Sequence, residues 1–365
     1  MDKELAYKIG ITLIPLIGDI KAKQLISYCG SAEAVFKQKK QSLLKIPDIG
    51  EATADAIVKQ DVLKRAEEEI TFIEKNNITP LYYLDKEYPL RLKQCDDSPI
   101  MLYYKGTANL NADRIIGIVG TRNATLYGKK MTEELVHGLQ TTGALIVSGL
   151  AFGIDITAHR AALDTSLDTV GVVAHGHDTL YPPEHFNISR KMLEQGGILT
   201  EFLAGTIPNK ENFPKRNRII AGLSDAVVVV ESKESGGALI TAEIAVSYNR
   251  EVLAYPGKPD DTASRGCNNL IQRNKAYLAQ SSNDVIEYLG WKDKTAPRKV
   301  QQELFHNLNT EETAIINTLK TEGTPMYIDD IAIRSNLTPG NLSAHLLSLE
   351  FAGILKSLPG KMYTL

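Results

Sequence analysis

The chain of 365 residues has few cysteines and no long apolar run. Its three cysteines, Cys29, Cys95 and Cys267, are isolated and odd in number, and they lack Cys-x-x-Cys spacing, which argues against disulfides and a structural zinc site. No apolar run approaches the roughly 18 residues that a membrane span needs, and residues 1–10 are charged and lack the apolar core of a signal peptide. We therefore expect a cytoplasmic protein with buried thiols and no membrane partner.

Charge of one sign is not in excess, since 41 Lys and Arg residues stand against 44 Asp and Glu residues and give a formal net charge of −3. This balance argues against a protein that binds nucleic acid with its whole surface, so any such site must be a local patch. With 43% hydrophobic and 23% charged residues, the composition is that of an ordinary globular protein long enough for two or three domains.

The most informative stretch is residues 213–243, FPKRNRIIAGLSDAVVVVESKESGGALITAE. The apolar run at residues 226–230 is typical of a strand buried on both faces of a parallel sheet. Turn chemistry follows at Ser235-Gly236-Gly237, and a helix should begin near residue 238. The first amides of such a helix favour an anion, so the pattern indicates an anion site after this strand.

A cluster of cations precedes that strand. Pro214 suits the first turn of a helix, which places Lys215, Arg216 and Arg218 near a helix N-terminus. The helix dipole disfavours cations there, and their presence indicates a bound polyanion. A solvated face is the more common explanation of three cations, so the companion motifs must decide between the two.

From residue 114 onward, strand and helix patterns alternate. This alternation predicts an α/β fold with an open, mostly parallel sheet and helices on both faces. Strands are predicted at residues 114–119, 144–147, 169–173, 197–201, 226–231 and 251–255, and the clearest helices at 125–139, 155–163 and 183–195. Ligands on such sheets bind beyond the carboxyl ends of the strands, where Gly120-Thr121-Arg122 and the glycine-containing loop at residues 148–155 fall. Arg122 adds a bidentate fork for phosphate.

An internal repeat organises the N-terminal part, where residues 14–18 (IPLIG) recur as residues 46–50 (IPDIG). Each copy precedes a helical stretch, and its glycine is expected to permit a tight turn and leave amides exposed. The pattern resembles the helix-hairpin-helix motif, which often binds nucleic-acid phosphates. Such hairpins also serve as scaffolds, and we assign residues 1–76 to a helical domain of this type.

A polar segment, residues 291–304, precedes the C-terminal part, and its composition predicts a linker. Three helices and a strand-like end with a Pro359-Gly360 turn predict a winged helix at residues 305–365. The third helix, the usual reader of DNA, carries hardly any positive charge. We therefore favour protein contact or structural support for this domain over DNA reading.

Many ordered motifs resemble those of the DprA family, also called Smf, DNA-processing proteins of natural transformation. The resemblance covers residues 81–290 with high specificity. The motifs are Val119-Gly120-Thr121-Arg122, Ser148-Gly149-Leu150-Ala151-x-Gly153-Ile154-Asp155, Ala158-His159, Asp178 with Tyr181-Pro182, Thr200-Glu201-Phe202, Phe213-Pro214-x-Arg216-Asn217-Arg218-Ile219-Ile220-Ala221-Gly222-Leu223-Ser224, Ser235-Gly236-Gly237 and Pro256-Gly257.

The resemblance implies an extended Rossmann-like domain, residues 77–290, in a protein that is not an enzyme. Members of the family bind incoming single-stranded DNA, protect it and help to load the RecA recombinase, usually as homodimers whose interface lies near residues 264–288. Carried over by motif, Arg122 is expected to contact a phosphate and Phe213 to stack a base. The basic pocket is expected to contain Lys215, Arg216 and Arg218. Backbone or polar contacts are expected from Gly120, Thr121, Ser148, Gly149, Asn217 and Gly236.

The principal alternative is an enzyme, a nucleotide hydrolase of the lysine-decarboxylase-like phosphoribohydrolase type. That family carries Pro-Gly-Gly-x-Gly-Thr-x-x-Glu at the equivalent turn, and here Leu239 and Ile240 replace the Gly-Thr, which removes bare backbone and a hydroxyl from a phosphate site. No Gly-x-Gly-x-x-Gly motif indicates a dinucleotide cofactor, and the histidines lack metal-ligand spacing. We expect no cofactor and no metal.

Overall fold

The computed structural model describes residues 2–291, 308–322, 325–351, 354–358 and 362–365. The chain divides into two compact units, Met1–Lys292 and Asp293–Leu365. Except for Trp291, the predicted linker at residues 291–304 lies outside the described residues. The finer division of the first unit into residues 1–76 and 77–290 stays a prediction.

The first unit alternates helices and strands along most of its length. Its helices are α1 Lys3–Leu13, α2 Asp19–Cys29, α3 Ala32–Phe36, α4 Lys40–Leu43, α5 Glu51–Val58, α6 Leu63–Lys75, α7 Leu90–Lys93, α8 Leu126–Leu139, α9 Ile154–Asp164, α10 Phe186–Glu194, α11 Asn212–Leu223, α12 Gly237–Ser247, α13 Arg265–Gln272 and α14 Ser282–Tyr288. Its strands are β1 Thr79–Tyr82, β2 Met101–Gly106, β3 Ile115–Val119, β4 Leu145–Ser148, β5 Thr169–Val172, β6 Gly196–Thr200, β7 Ala226–Val229, β8 Glu251–Ala254 and β9 Tyr277–Leu278.

These strands form one sheet in the order β1-β2-β6-β5-β4-β3-β7-β8-β9. All neighbours from β6 to β9 are parallel, whereas β1 and β2 pair antiparallel at one edge. The predicted mostly parallel α/β sheet is therefore confirmed. β1 and β2 were not among the predicted strands, and β1 contains Pro80, which is compatible with a strand at the sheet edge.

The sheet is buried on both faces, as the apolar run after residue 225 predicts. Val227 and Val229 of β7 lie in the hydrophobic core on one face, and Ala226 and Val228 lie in the core on the other. The first core includes apolar residues of α11 and α12, and the second includes those of α8 and α9. Burial of both faces explains why β7 lacks polar alternation.

Helices α1 to α6 pack around a third core, which also contains Tyr82, Ile100 and Tyr103 from the β1 and β2 region. The two copies of the internal repeat share one backbone conformation: Leu16 and Asp48, 32 residues apart, have φ of 68° and 59°. Gly18 and Gly50 instead cap α2 and α5 in extended conformation. The expectation that glycine makes the tight turn is therefore wrong, because the left-handed residue lies two positions earlier.

The described residues of the second unit form three helices and a small sheet, as a winged helix requires. Its elements are α15 Thr310–Glu322, β10 Met326–Tyr327, α16 Ile328–Ser335, α17 Pro339–Phe351, β11 Lys356–Leu358 and β12 Met362–Thr364. The antiparallel sheet has the order β10-β12-β11. On α17, His345 Nε2 lies 2.7 Å from Glu311 Oε2, so an acidic residue of α15 neighbours the imidazole. The Pro359-Gly360 turn lies outside the described residues.

Within the described ranges of both units, no helix has the length and apolar character that a membrane span needs.

Candidate functional site

A cavity of about 420 Å³ opens where β3 and β7 end side by side. The chain leaves β3 towards β4 and leaves β7 towards β8, on opposite sides, so the two connections diverge. Ligands of open parallel sheets bind in the crevice at such a switch point. The cavity lies between the loops after β3 and β7 and the first turns of α11 and α12. Its lining includes Gly120, Thr121, Arg122, Asp155, Lys210, Phe213, Arg216, Asn217, Lys233, Gly236, Gly237 and Ala238.

The loop after β3 is anchored by Glu231, which is 1% exposed. The Thr121 amide donates to the Glu231 carbonyl at 2.8 Å. The Glu231 carboxylate accepts from the Thr125 amide at 2.9 Å and from its hydroxyl at 2.5 Å. The same hydroxyl caps α8 by accepting from the Gly128 amide. A buried carboxylate thus fixes the segment that presents Arg122.

Arg122 is exposed, and its guanidinium carbon lies 4.8 Å from the centroid of the Phe213 ring. This distance is that of a cation–π contact. Across residues 2–291, the Arg122 side chain has no hydrogen bond or ion pair. Its donors are therefore available to a ligand that also meets the aromatic face.

Arg216 is a second arginine of the cavity, but it is only 4% exposed. Its Nη1 donates to the Val172 carbonyl at 2.7 Å, and its buried Nε has no partner among the described residues. Burial lowers the pKa of Arg216 to about 10, and the nearby Asp155 opposes that shift. A cation with an unmatched donor inside the protein is a strong attractor for an anion.

Asp155 and Gly149 complete the surroundings of that arginine. Burial raises the pKa of Asp155, an effect that the charge of Arg216 partly offsets. The Asp155 carboxylate accepts from the Ala151 amide at 3.3 Å. A Cβ at Gly149 would lie 1.9 Å from Arg216 Nη1 and 2.4 Å from Asp155 Oδ2. Residue 149 is therefore glycine because the backbone passes directly beside both charged groups.

The N-terminus of α12 supplies a third favourable feature for an anion. Gly236 precedes the helix in extended conformation, and no side chain caps the first turn. Gly236, Gly237 and Ala238 all line the cavity. Asn217 donates from Nδ2 to the Gly237 carbonyl at 3.3 Å and ties α11 to this turn. The positive end of the helix dipole thus faces the same space as the two arginines.

Most of the predicted site residues meet at this cavity: Gly120, Thr121, Arg122, Phe213, Arg216, Asn217 and Gly236. Gly149 lines a small adjoining cavity with Arg122, Phe152, Tyr181 and Phe213. Ser148 is fully buried, and its hydroxyl donates to the Ile118 carbonyl at 2.5 Å. Its hydroxyl is thus already engaged by β3.

Lys215 and Arg218 lie elsewhere, on a cavity of about 760 Å³ that the start of α2 also lines. Arg218 forms ion pairs with Glu201 and Asp19 and donates to the Asp97 carbonyl. The three cations that were predicted to line one pocket are therefore divided between two cavities. Because a helix turns once in 3.6 residues, positions 215 and 218 share a face that position 216 does not.

Sequence reasoning missed several residues of the site. Lys210 and Lys233 add two exposed cations to the lining, and the buried acid Glu231 anchors the loop of Arg122. The buried Asp155 was recognised as part of a motif, but its place beside Arg216 was not predicted. The only signal for Glu231 is its position directly after a buried strand. No sequence period brings Asp155 to Arg216, since 61 residues separate them and the approach depends on the strand order.

Two histidines near the site, His177 after β5 and His159 of α9, are packed against the protein. Burial lowers the pKa of His177 to about 4, and its Nε2 donates to the Tyr103 carbonyl at 2.9 Å. Burial also lowers the pKa of His159 to about 3. In the part of the chain that the structure describes, no group of histidine, cysteine, aspartate and glutamate side chains is arranged to hold a metal ion.

The sheet and its crevice define a Rossmann-like α/β protein whose candidate site suits an anionic ligand with aromatic rings. Residues 79–290 match the family model of DNA recombination-mediator protein A, and residues 302–361 match that of the DprA winged helix domain. The chain therefore belongs to the DprA family.

Curated relatives and solved structures agree with this assignment. Protein Smf of Synechocystis is 31% identical, with 99% of each chain covered, and the DNA processing protein DprA of Bacillus subtilis is 43% identical over 56% of this chain and 69% of its own. The DprA structure from Streptococcus pneumoniae matches with a TM-score of 0.58 at 32% identity and covers 74% of this chain and 98% of its own. The Helicobacter pylori protein, described by its single-stranded DNA binding mode, matches with a TM-score of 0.53 at 28% identity, over 58% and 95% of the two chains.

The anchoring of the Arg122 loop by Glu231 is testable. Glu231→Gln should lower the free energy of unfolding by about 1.5–3 kcal/mol. The glutamine side chain has no charge, and it has an NH2 donor in place of one of the two oxygens that accept hydrogen bonds from Thr125. Urea unfolding of the full chain measures the change. Glu234→Gln, an exposed acid of the same loop that pairs with Arg265 at 3.8 Å, is the matched control. Equal unfolding free energies for the two variants would contradict the anchoring role.

Proposed function

We propose that the protein binds single-stranded DNA in the crevice beyond β3 and β7. The observation that carries the proposal is the pair of arginines, one buried with an unmatched Nε and one exposed on the Phe213 ring. Proteins that bind single strands combine a cationic groove with aromatic faces on which bases stack. The chain has a formal net charge of −3, so this local patch supplies the attraction for phosphate.

Each part of the site has a role in this proposal. Arg122 and Arg216 hold phosphate oxygens, and the uncapped start of α12 adds backbone donors at Gly236 and Gly237. Phe213 stacks a base. Lys210 and Lys233 extend the positive lining and strengthen binding at low salt.

The relatives support a role in DNA processing. The Helicobacter pylori structure is described by its single-stranded DNA binding mode, and the Bacillus subtilis relative is named as a DNA processing protein. By extension, this protein receives incoming DNA in the cytoplasm during natural transformation and protects the single strand. Binding rather than catalysis is the proposed activity.

The hydrolase alternative has less support in the site. Glu243, which aligns with the glutamate of the hydrolase motif, is an exposed residue that pairs with Lys275 at 3.2 Å and is not part of the cavity lining. Ile240 lines the cavity at the position where the hydrolase motif has a threonine. Asp155, the second carboxylate that could serve a hydrolase, accepts a hydrogen bond from the Ala151 amide and lies beside Arg216.

Binding of a labelled oligonucleotide across a salt series tests the proposal. The wild-type protein should prefer the single strand to its duplex. Arg122→Ala should weaken binding and reduce the salt slope by about 0.7, the contribution of one phosphate contact. Phe213→Ala should weaken binding by about 1–3 kcal/mol with a smaller change of slope, because stacking is lost rather than charge.

The control is Lys75→Ala. Lys75 is an exposed cation of α6 that is not part of the cavity lining. It should leave affinity and slope unchanged. If Arg122→Ala binds as the wild type does, the crevice is not the DNA site. Release of free base from nucleoside monophosphates would instead support the hydrolase.

We also propose a homodimer formed through the edge strand β9. Tyr277 and Leu278 are exposed, and the Tyr277 ring stacks on Tyr288 at 4.3 Å. An exposed edge with apolar side chains is a common site of association. It lies within residues 264–288, where the family resemblance predicts the interface.

A charge at that edge should separate the protomers. Leu278→Asp is expected to convert the dimer to a monomer, because a carboxylate would be buried without a partner in an apolar interface. Sedimentation analysis measures the mass of the full chain. Ile207→Asp, at an exposed apolar residue of a loop, should leave the mass unchanged. A wild-type monomer would refute the proposal.

The last part of the proposed function is delivery of RecA to the bound strand. We expect the protein to shorten the lag of RecA filament formation on single-stranded DNA coated with single-strand-binding protein, measured by DNA-dependent ATP hydrolysis. Arg122→Ala should not shorten the lag, since delivery requires the strand to be held. An unchanged lag with a wild-type protein that binds DNA would leave strand protection as the function and exclude loading.

A further inference from the structure

A separate cavity of about 460 Å³ lies on the other side of Arg122. We call it the Arg160 cavity. Residues of α8 and α9 line it, together with residues of the loops after β3 and β4. Two further lining residues, Glu184 and His185, directly precede α10. The lining residues that matter here are Arg122, Lys129, Phe152, Arg160, Glu184 and His185.

The cationic side chains of the Arg160 cavity form no hydrogen bond or ion pair with residues 2–291. Lys129 of α8 and Arg160 of α9 are both exposed, and neither side chain has a hydrogen bond or ion pair in that range. Glu133 and Glu184 also line the cavity, so the three cations, counted with Arg122, exceed the two carboxylates. An excess of unpaired positive charge makes the cavity attractive for phosphate groups.

Phe152 provides an aromatic face at this cavity. It is 42% exposed, and its ring lies edge to face with His185 at a centroid distance of 4.9 Å. His185 is buried, and its Nδ1 donates to the Leu150 carbonyl at 2.9 Å. The phenyl ring is therefore supported from one side and open on the other, which is the requirement for stacking a base.

The Arg160 cavity and the crevice proposed for DNA share lining residues with one small cavity. The lining of that small cavity includes Arg122, Phe152, Tyr181 and Phe213. Arg122 lines all three spaces. Tyr181, an exposed residue of the small cavity, has its ring centroid 6.2 Å from that of Phe213. The aromatic residues Phe213, Tyr181 and Phe152 thus line neighbouring cavities at the carboxyl edge of the sheet. Cationic side chains without ion pairs among residues 2–291 lie beside them.

We propose that the Arg160 cavity holds the next nucleotides of the same single strand. Phe152 stacks a base, and Lys129 and Arg160 contact the phosphates that follow the one at Arg122. This inference rests on the proposed function and extends its binding track beyond the crevice. The ligand is a single strand rather than a duplex, because the exposed rings need unstacked bases.

The test compares two thymidine oligonucleotides, one of about 4 and one of about 16 nucleotides, which bracket the site sizes of single-strand binders. For the wild-type full chain, the longer strand should bind with the higher affinity and the steeper salt slope. The double variant Lys129→Ala with Arg160→Ala should lose about 1.4 from the slope measured with the longer strand, about 0.7 for each phosphate. The ratio of long-strand to short-strand affinity should fall with it.

Phe152 provides a second, uncharged test. Phe152→Ala should lower the same affinity ratio by roughly tenfold without changing the salt slope, and Phe152→Trp should restore it, since stacking tolerates any large aromatic ring. Lys130→Ala is the matched control, because Lys130 neighbours Lys129 in sequence but faces Glu134 at 3.6 Å and is absent from the cavity lining. Circular dichroism confirms that each variant folds.

The outcomes separate this inference from the function on which it rests. If the wild-type protein binds both strands and the variants keep its affinity ratio and slope, the track does not enter the Arg160 cavity, while the crevice remains the DNA site. If the wild-type protein binds neither strand, the proposed function and the track both fail. A loss with Lys130→Ala as large as that of the double variant would also overturn the track, since it would indicate a general effect of charge.

Discussion

The candidate site depends on a positive charge held inside the protein at the end of a parallel sheet. Arg216 is nearly inaccessible to water, and moving a guanidinium into such surroundings is costly unless it is paired. The Val172 carbonyl accepts a hydrogen bond from Arg216 and the charge of Asp155 lies nearby, but Arg216 Nε has no partner among the described residues. The guanidinium is therefore held between α11, which carries it, and the end of β5.

The surrounding residues accommodate or complement this buried cation. Gly149 leaves room for the guanidinium, and the uncapped start of α12 directs further positive potential into the same crevice. Arg122 differs from Arg216 because it is exposed, rests on an aromatic ring and is carried by a loop that Glu231 anchors. One arginine is thus buried, whereas the other is exposed at the opening of the crevice.

Arg218 lies on the same helix as Arg216 but pairs with acidic residues of other elements instead of lining the crevice. It belongs to the same basic cluster as Arg216, but its ion pairs with Glu201 and Asp19 connect α11 to the end of β6 and to the start of α2. Burial raises the pKa of Glu201 to about 7, and the charge of Arg218 counteracts that rise. Replacing Arg218 would leave the largely buried Glu201 carboxylate and the half-buried Asp19 without their cation, so we expect the variant to lose stability.

The sequence alone determined the strands from β3 to β8, the helices between them and the three-helix order of the second unit, because each depends on local periodicity and turn chemistry. It also placed Arg122, Phe213, Arg216 and Gly236 at the carboxyl edge, since parallel strands bring their following loops together. Only the tertiary structure decided which cations share a cavity and which acids meet them. Helix rotation turns Lys215 and Arg218 away from Arg216, and the strand order brings Asp155 and Glu231 to the site from distant parts of the chain.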